Sequence, residues 1–240
     1  MSFRKAAKKI VRSMGLDIVR RDPLRDPLIK LIAKYRIDLV FDVGANEGQY
    51  MRYLREIGYM HRIVSFEPLS GPFAVLSRRV ESEPLVIAVN LALGNRDGLD
   101  EINVAKESVF SSFLELEPAL QHSKPQSMTI GRETIQVRRL DAVFEDYASQ
   151  SDRVFLKIDT QGFEKCVLEG ATASLGRILG VQVEMSIIPL YGGETVFGDM
   201  VPFLRVNGFE LMELVPVARD HQTGRLLQVD GIFFRLNERR

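Results

Sequence analysis

The chain has 240 residues, enough for one well-cored domain, and its 32 Lys or Arg balance 32 Asp or Glu. That balance argues against a dedicated nucleic-acid binder, which carries a basic excess, and the lone Cys166 excludes an internal disulfide or a cysteine-built metal site. No apolar run is long enough to span a membrane and the N-terminus lacks the apolar core of a secretory signal, so the chain reads as cytoplasmic, in a reducing compartment.

In chain order, the first 21 residues hold seven Lys or Arg and one acid, Asp17. Phe3, Ala6, Ala7, Ile10, Val11 and Met14 fall on one helical face, with the basic residues largely off it. The pattern reads as a helix docked on the domain or on a partner subunit. Weak contact with an anionic inner-membrane surface is the alternative, and oligomer formation stays open. Pro27 fits the first turn of a second helix that runs to about Tyr35. Residues 1–36 are therefore expected to form an N-terminal helical arm, and 37–240 the main domain.

The sheet is expected to begin at Leu39. The segment LVFDVGANEGQY is an apolar strand, a glycine turn and a helix start, the helix running from Gln49 to Gly58. A second strand, Ile63 to Phe66, ends on Glu67 and is stopped by Pro68. A helix around Ala74–Val80 and a third strand, Leu85 to Leu93, follow. Leu99–Ala105 alternates as a strand, and residues 106–133 read as loops. So long an irregular stretch inside a domain usually lies over a binding site. Further on come a short strand Thr134–Arg138, a helix from Leu140 to about Tyr147, a strand Val154–Ile158, a helix Glu164–Leu175 and a strand Val181–Met185. A helix Asp199–Val206 and a closing antiparallel pair, Phe209–Val217 with Leu226–Leu236, complete the chain. This pattern describes an α/β fold with an open, mostly parallel sheet.

In such a sheet Glu67 lies beside the glycine turn. The turn lets a ligand approach the backbone, and the neighbouring carboxylate can accept ribose hydroxyls, so a nucleoside-bearing cofactor is expected. The nicotinamide fingerprint needs glycines at the first, third and sixth turn positions, and only Gly44 satisfies it, since Asn46 and Gln49 hold the other two places. The spacing Asp-x-Gly-x-x-x-Gly instead resembles the first motif of class I S-adenosylmethionine-dependent methyltransferases, which implies their Rossmann-like fold. An acid such as Asp42 also suits a cationic ligand. Carried onto this sequence, the resemblance implies Asp42, Gly44, Asn46 and Gly48 around the methionine part and Glu67 on the ribose. It puts Asn90, Leu91 and Ala92 at the adenine, and Ser111 and Ser112 in loop contacts.

LKIDTQGFEKCVLEGA (Leu156–Ala171) is similar to the Lys-Ile-Asp-x-x-Gly-x-Glu hallmark of the FkbM-type methyltransferases. LALGNRDG, SVFSSF, RRLDAVF and VDGIFFR resemble further elements of that family, so the likeness spans about Leu39 to Arg235. It implies methylation of a hydroxyl, frequently on a sugar of a bacterial polysaccharide or on a secondary metabolite.

Asp159, at the end of the fourth main strand, is the first candidate for a catalytic group at the acceptor. Glu184 lies near the end of the fifth. Its structural alternative is a hydrogen-bonded acid. Lys157 shares a strand face with Asp159, and Glu164 fits a helix N-terminus better than catalysis. His122, in the cover loop, and His221, in the closing hairpin, are further candidate bases, each set against an ordinary solvated histidine. A divalent ion held by Asp159, Glu184 and Asp230 is conceivable, but strand-edge acids are common and no metal is expected. The expected partner is a hydroxyl-bearing acceptor, a saccharide. An N-methyltransferase, a cofactor-binding subunit without catalysis and an NAD-dependent sugar enzyme are the rival readings.

Overall fold

The computed structural model describes residues 24–117, 125–220 and 222–236. Seven strands form the main sheet, in the order β3 (Val86–Val89), β2 (Arg62–Phe66), β1 (Leu39–Val43), β7 (Val154–Ile158), β8 (Ile178–Ser186), β10 (Leu226–Phe234) and β9 (Glu210–Arg219). The five from β3 to β8 pair parallel, and β10 (Leu226–Phe234) runs antiparallel to both β8 (Ile178–Ser186) and β9 (Glu210–Arg219). This is the class I methyltransferase arrangement, Rossmann-like and closed by an antiparallel hairpin.

The two central strands, β1 (Leu39–Val43) and β7 (Val154–Ile158), are buried along their whole length. Such strands read as near-continuous apolar runs because both faces are covered. Phe41 points to one face, where it meets Phe66 and Phe144 edge-on with centroids at 5.9 and 5.5 Å. Val40, Ile63 and Phe155 point to the other, under α1 (Arg25–Tyr35) and α2 (Gln49–Glu56). Leu28, Ile32 and Tyr35 recur at helical spacing on α1 and are buried there, with the Tyr35 ring stacked on Phe234 at 4.2 Å. The chain before residue 24, including the expected Phe3–Met14 helix, lies outside the described residues.

The connection from β1 through α2 leads to β2 (Arg62–Phe66), and α3 (Ser70–Val80) leads on to β3 (Val86–Val89), all on one side of β1. The later strands add on the other side. Strand order therefore reverses between β1 and β7, and ligands bind at the carboxyl ends of strands flanking such a switch. A second sheet, β4 (Ala92–Leu93), β6 (Thr129–Arg138) and β5 (Gly98–Ala105), packs Ala92, Ile102, Ile135 and Val137 against Leu69. This small sheet covers the carboxyl edge beside β2.

Several boundaries differ from the sequence expectation. The strand expected over Leu85–Leu93 breaks in two, because the Asn90 amide donates to the carbonyls of Glu67 and Pro68, both at 2.9 Å, as the chain leaves the main sheet. Leu91, Ala92 and Leu93 stay buried, so hydrophobicity does not mark the break. Helix α5 (Glu164–Glu169) stops at Gly170, well short of Leu175, where the backbone packs on Gly94 so closely that a Cβ would lie 1.8 Å from its carbonyl oxygen. Strand β6 starts five residues before Thr134, with Gly131 and Arg132 paired to Val104 and Asn103. Helix α4 (Leu140–Tyr147) lies where the pattern placed it, and α6 (Phe197–Val206) begins two residues early.

Candidate active site

The glycine turn is built by close backbone approach. Gly44 has φ 78°, and a Cβ there would lie 1.9 Å from the Asp159 carbonyl oxygen. Only glycine lets the ends of β1 and β7 come together at this point. The N–H groups of Gly44 and Ala45 both donate to the Phe66 carbonyl, at 3.1 and 3.0 Å, which folds the turn over the end of β2. Gly48, with φ 83°, then caps α2.

Glu67 follows β2 and is 4% exposed. The Asn46 N–H donates to its Oε2 at 2.8 Å and the Leu69 N–H to its Oε1 at 2.9 Å. Burial pushes the carboxyl up to about 7, against the pull of those two N–H donors. Each oxygen keeps a lone pair, so a fixed carboxylate can still accept two hydroxyls. Leu69, Leu91, Ala92, Ile102 and Phe113 form apolar walls of the same cavity. Ser108 closes it above, where the Asn46 amide donates to Ser108 Oγ at 2.9 Å.

On the β7 side stands Lys157, whose Nζ lies 3.2 Å from Asp42 Oδ1, 3.6 Å from Asp159 Oδ2 and 5.3 Å from the Tyr50 ring centre. Burial pulls the Lys157 ammonium down, but the charges of Asp42 and Asp159 outweigh it and hold the group above the ordinary lysine range. Burial raises Asp42, against the pull of Lys157. Among the described residues Lys157 is the only Lys or Arg lining the cavity. A pyrophosphate or triphosphate would find no free cation there, whereas a phosphate-free nucleoside needs none. The donor set thus fits an adenosyl group.

Gln161 ties the far end together. Its Nε2 donates to Asp159 Oδ1 at 2.7 Å and to Glu184 Oε2 at 3.0 Å, and Tyr191 donates to its Oε1 at 2.6 Å. Its backbone sits at φ 55°, a conformation costly for a residue other than glycine and typical of functional turns. Glu184 also accepts from Gln228 at 2.8 Å, and burial with the charges of Asp159 and Asp230 holds it well above the carboxylate range. Burial, then Asp159, brings Asp230 to about 6. Glu164 accepts the N–H groups of Thr160 and Gly162, at 2.9 and 3.1 Å, so its carboxylate is engaged in building the turn.

The structure brings Gly44, Asn46, Glu67, Leu91, Ala92, Ser111 and Asp159 together around one cavity. Asp42 and Gly48 lie behind it, the first under Lys157 and the second against Leu76. Asn90 braces the backbone of Glu67, Ser112 donates to the Gln161 carbonyl, and Glu184 sits one bridge away through Gln161. His122 and His221 lie outside the described residues. Among the described residues, no group of three or more His, Cys, Asp or Glu side chains is placed to hold a metal, and no helix is long and apolar enough to cross a membrane. Sequence reasoning missed Tyr50, Gln161 and Phe113. Gln161 follows the Lys-Ile-Asp element directly, but its positive φ has no glycine to announce it.

The family model for the methyltransferase FkbM domain matches residues 42–211. No curated protein matches the chain in sequence. Among solved structures, TehB from Haemophilus influenzae is similar over 87% of this chain at 9% identity and TM-score 0.46, and the chain spans only 61% of that protein. An N1-methyltransferase of 1,6-didemethyltoxoflavin from Burkholderia thailandensis, solved with S-adenosylhomocysteine, is similar over 98% of this chain and 86% of its own, at 10% identity and TM-score 0.48. A putative S-adenosylmethionine-dependent methyltransferase from Listeria monocytogenes gives 88% and 96%, at 9% identity and TM-score 0.48.

Proposed function

The chain belongs to the FkbM methyltransferase family, and we propose that it uses S-adenosylmethionine to methylate a hydroxyl, on a sugar of a polysaccharide or other glycoconjugate. The observation that carries the cofactor reading is Glu67, held by two backbone N–H groups at the wall of a cavity with apolar sides whose single Lys or Arg, among the described residues, is the ion-paired Lys157. Glu67 binds the ribose hydroxyls, Leu91 and Ala92 flank the adenine, and the Gly44 turn receives the methionine part.

The bound cofactor supplies an electrophilic methyl group on a positively charged sulfur. With the cofactor bound, an acceptor hydroxyl would be aligned with that methyl group, Asp159 would take the hydroxyl proton, and the electron pair of the carbon–sulfur bond would remain on sulfur. Asp159 suits that task because it stands at the cavity's β7 end with its side chain 37% exposed, reachable by an acceptor. Gln161 and Lys157 hold its two oxygens and so set its direction. Glu184, bridged to it, is positioned to bind a second acceptor hydroxyl.

The test is mass spectrometry of glycans incubated with the enzyme and methyl-labelled cofactor. A methyl ether on a sugar supports the proposal. Label on an amine favours an N-methyltransferase. Cofactor binding with no product on any acceptor favours a binding subunit.

A further inference from the structure

Lys157 poses a problem for any site that takes a cation. Its side chain is 8% exposed and belongs to a residue lining the cavity, and its ammonium lies within ion-pair distance of two carboxylates. Sheet order locates it along the cofactor. Leu91 and Ala92 follow β3 and Glu67 follows β2, whereas Lys157 belongs to β7 on the far side of β1. On the reading of the cavity as an S-adenosylmethionine site, on which this inference rests, the adenosyl end lies toward β2 and β3. The sulfur end then lies between Gly44 and Asp159, against Lys157, whose Nζ is 3.4 Å from the Gly44 carbonyl oxygen.

We propose that Lys157 is a specificity-determining charge, weakening the site's hold on a positively charged sulfonium relative to the neutral thioether left after transfer. The local charge count carries the argument. Counting the two carboxylates within ion-pair distance of Lys157, Asp42 and Asp159 contribute two negative charges and Lys157 one positive, leaving one net negative charge in this cluster. Without Lys157 the count would be two, and a cationic donor would be held far more tightly. Few water molecules can screen so buried a charge, so its effect on a ligand a few ångströms away is large. During transfer the carbon–sulfur bond breaks and the positive charge leaves sulfur, while the new carbon–oxygen bond forms and Asp159 takes the hydroxyl proton. Repulsion between Lys157 and the sulfur is therefore present before transfer and gone after it, while the proton gained by Asp159 cancels one of the two carboxylate charges beside Lys157.

Calorimetry on the whole chain tests this with two probes of the same outline. S-adenosylhomocysteine has a neutral sulfur, and sinefungin carries a protonated amine in place of the methylated one. The quantity read is the ratio of sinefungin affinity to S-adenosylhomocysteine affinity. It should rise about tenfold in Lys157→Met, which removes one positive charge, and fall by a similar factor in Asp42→Asn, which removes one negative charge. The double variant Asp42→Asn/Lys157→Met restores the net charge and should return to the wild-type ratio. Should Lys157→Met not fold, the fall in Asp42→Asn and its recovery in the double variant decide the matter. A ratio unchanged across the variants that bind would show the pair to be structural and overturn the proposal. Failure of the wild type to bind either probe would instead remove the cofactor reading beneath it.

Discussion

Asp42 of β1 and Lys157 of β7 are register partners across the two central strands, and their side chains meet at 3.2 Å. Both are buried, in runs that are otherwise apolar. Desolvation offsets most of the attraction in such a pair, whereas removing one partner leaves a buried charge uncompensated. The pair therefore adds little net stability while fixing a charge beside the cavity.

Its energetics are open to measurement. Asp42→Ala should lower the unfolding free energy by up to about 3–5 kcal/mol, since it leaves the buried Lys157 ammonium only the longer pair with Asp159. The double variant Asp42→Ala/Lys157→Met should cost less than that single change. Urea unfolding of the variants checks this, and a double variant worse than Asp42→Ala would contradict it.

Asp159→Asn keeps the shape of the group and removes its basicity. Transfer should slow by about 10²–10⁴-fold, while the affinity for S-adenosylhomocysteine stays within a few-fold of wild type. Labelled-methyl incorporation and calorimetry read the two quantities separately. Full activity would remove Asp159 from the mechanism.

Three buried acids give the ligand-free protein a definite pH response. Glu67 and Glu164 are raised from 4.5 to about 7 and Asp230 from 3.8 to about 6. A raised acid takes up a proton on folding, so its contribution is complete below the unfolded value and fades as pH climbs through the folded one. The thermal midpoint should therefore fall between about pH 5 and pH 8, and Glu67→Gln should flatten that fall. The affinity for S-adenosylhomocysteine should move the opposite way, rising through about pH 7, because ribose hydroxyls donate to the ionised Glu67. Scanning calorimetry and titrations across this range check both slopes.

Ser108 and Asn46 close the cavity from opposite sides through a hydrogen bond of 2.9 Å. Ser108→Ala should speed release of S-adenosylhomocysteine by about threefold to tenfold, the worth of one such bond, with little change in stability. Stopped-flow displacement measures the rate, and an unchanged rate would show that the clasp does not gate exchange.

The sequence made the centre of the fold legible and left its edges obscure. Leu39–Val43 and Val154–Ile158 are apolar runs ended by an acid or a glycine turn, and they lie in β1 and β7 as expected. Glu67 was legible for the same reason, a strand stopped by proline. The break at Asn90 was not, because a side-chain hydrogen bond to distant carbonyls leaves no periodic trace. Likewise the part played by Gln161 depends on Tyr191 and Glu184, residues 30 and 23 positions further along the chain. Leu99–Ala105 and Thr134–Arg138 of the small sheet were legible as strands, but the start of β6 at Thr129 was not, because Ile130 and Gly131 are exposed there.

The most direct measurement is a crystal structure with S-adenosylhomocysteine bound. The ribose hydroxyls should rest on Glu67, with the adenine beside Leu91 and Ala92 and the sulfur between Gly44 and Asp159. A ligand seated elsewhere, or a Glu67 carboxylate turned away from it, would contradict the cofactor site on which the function depends.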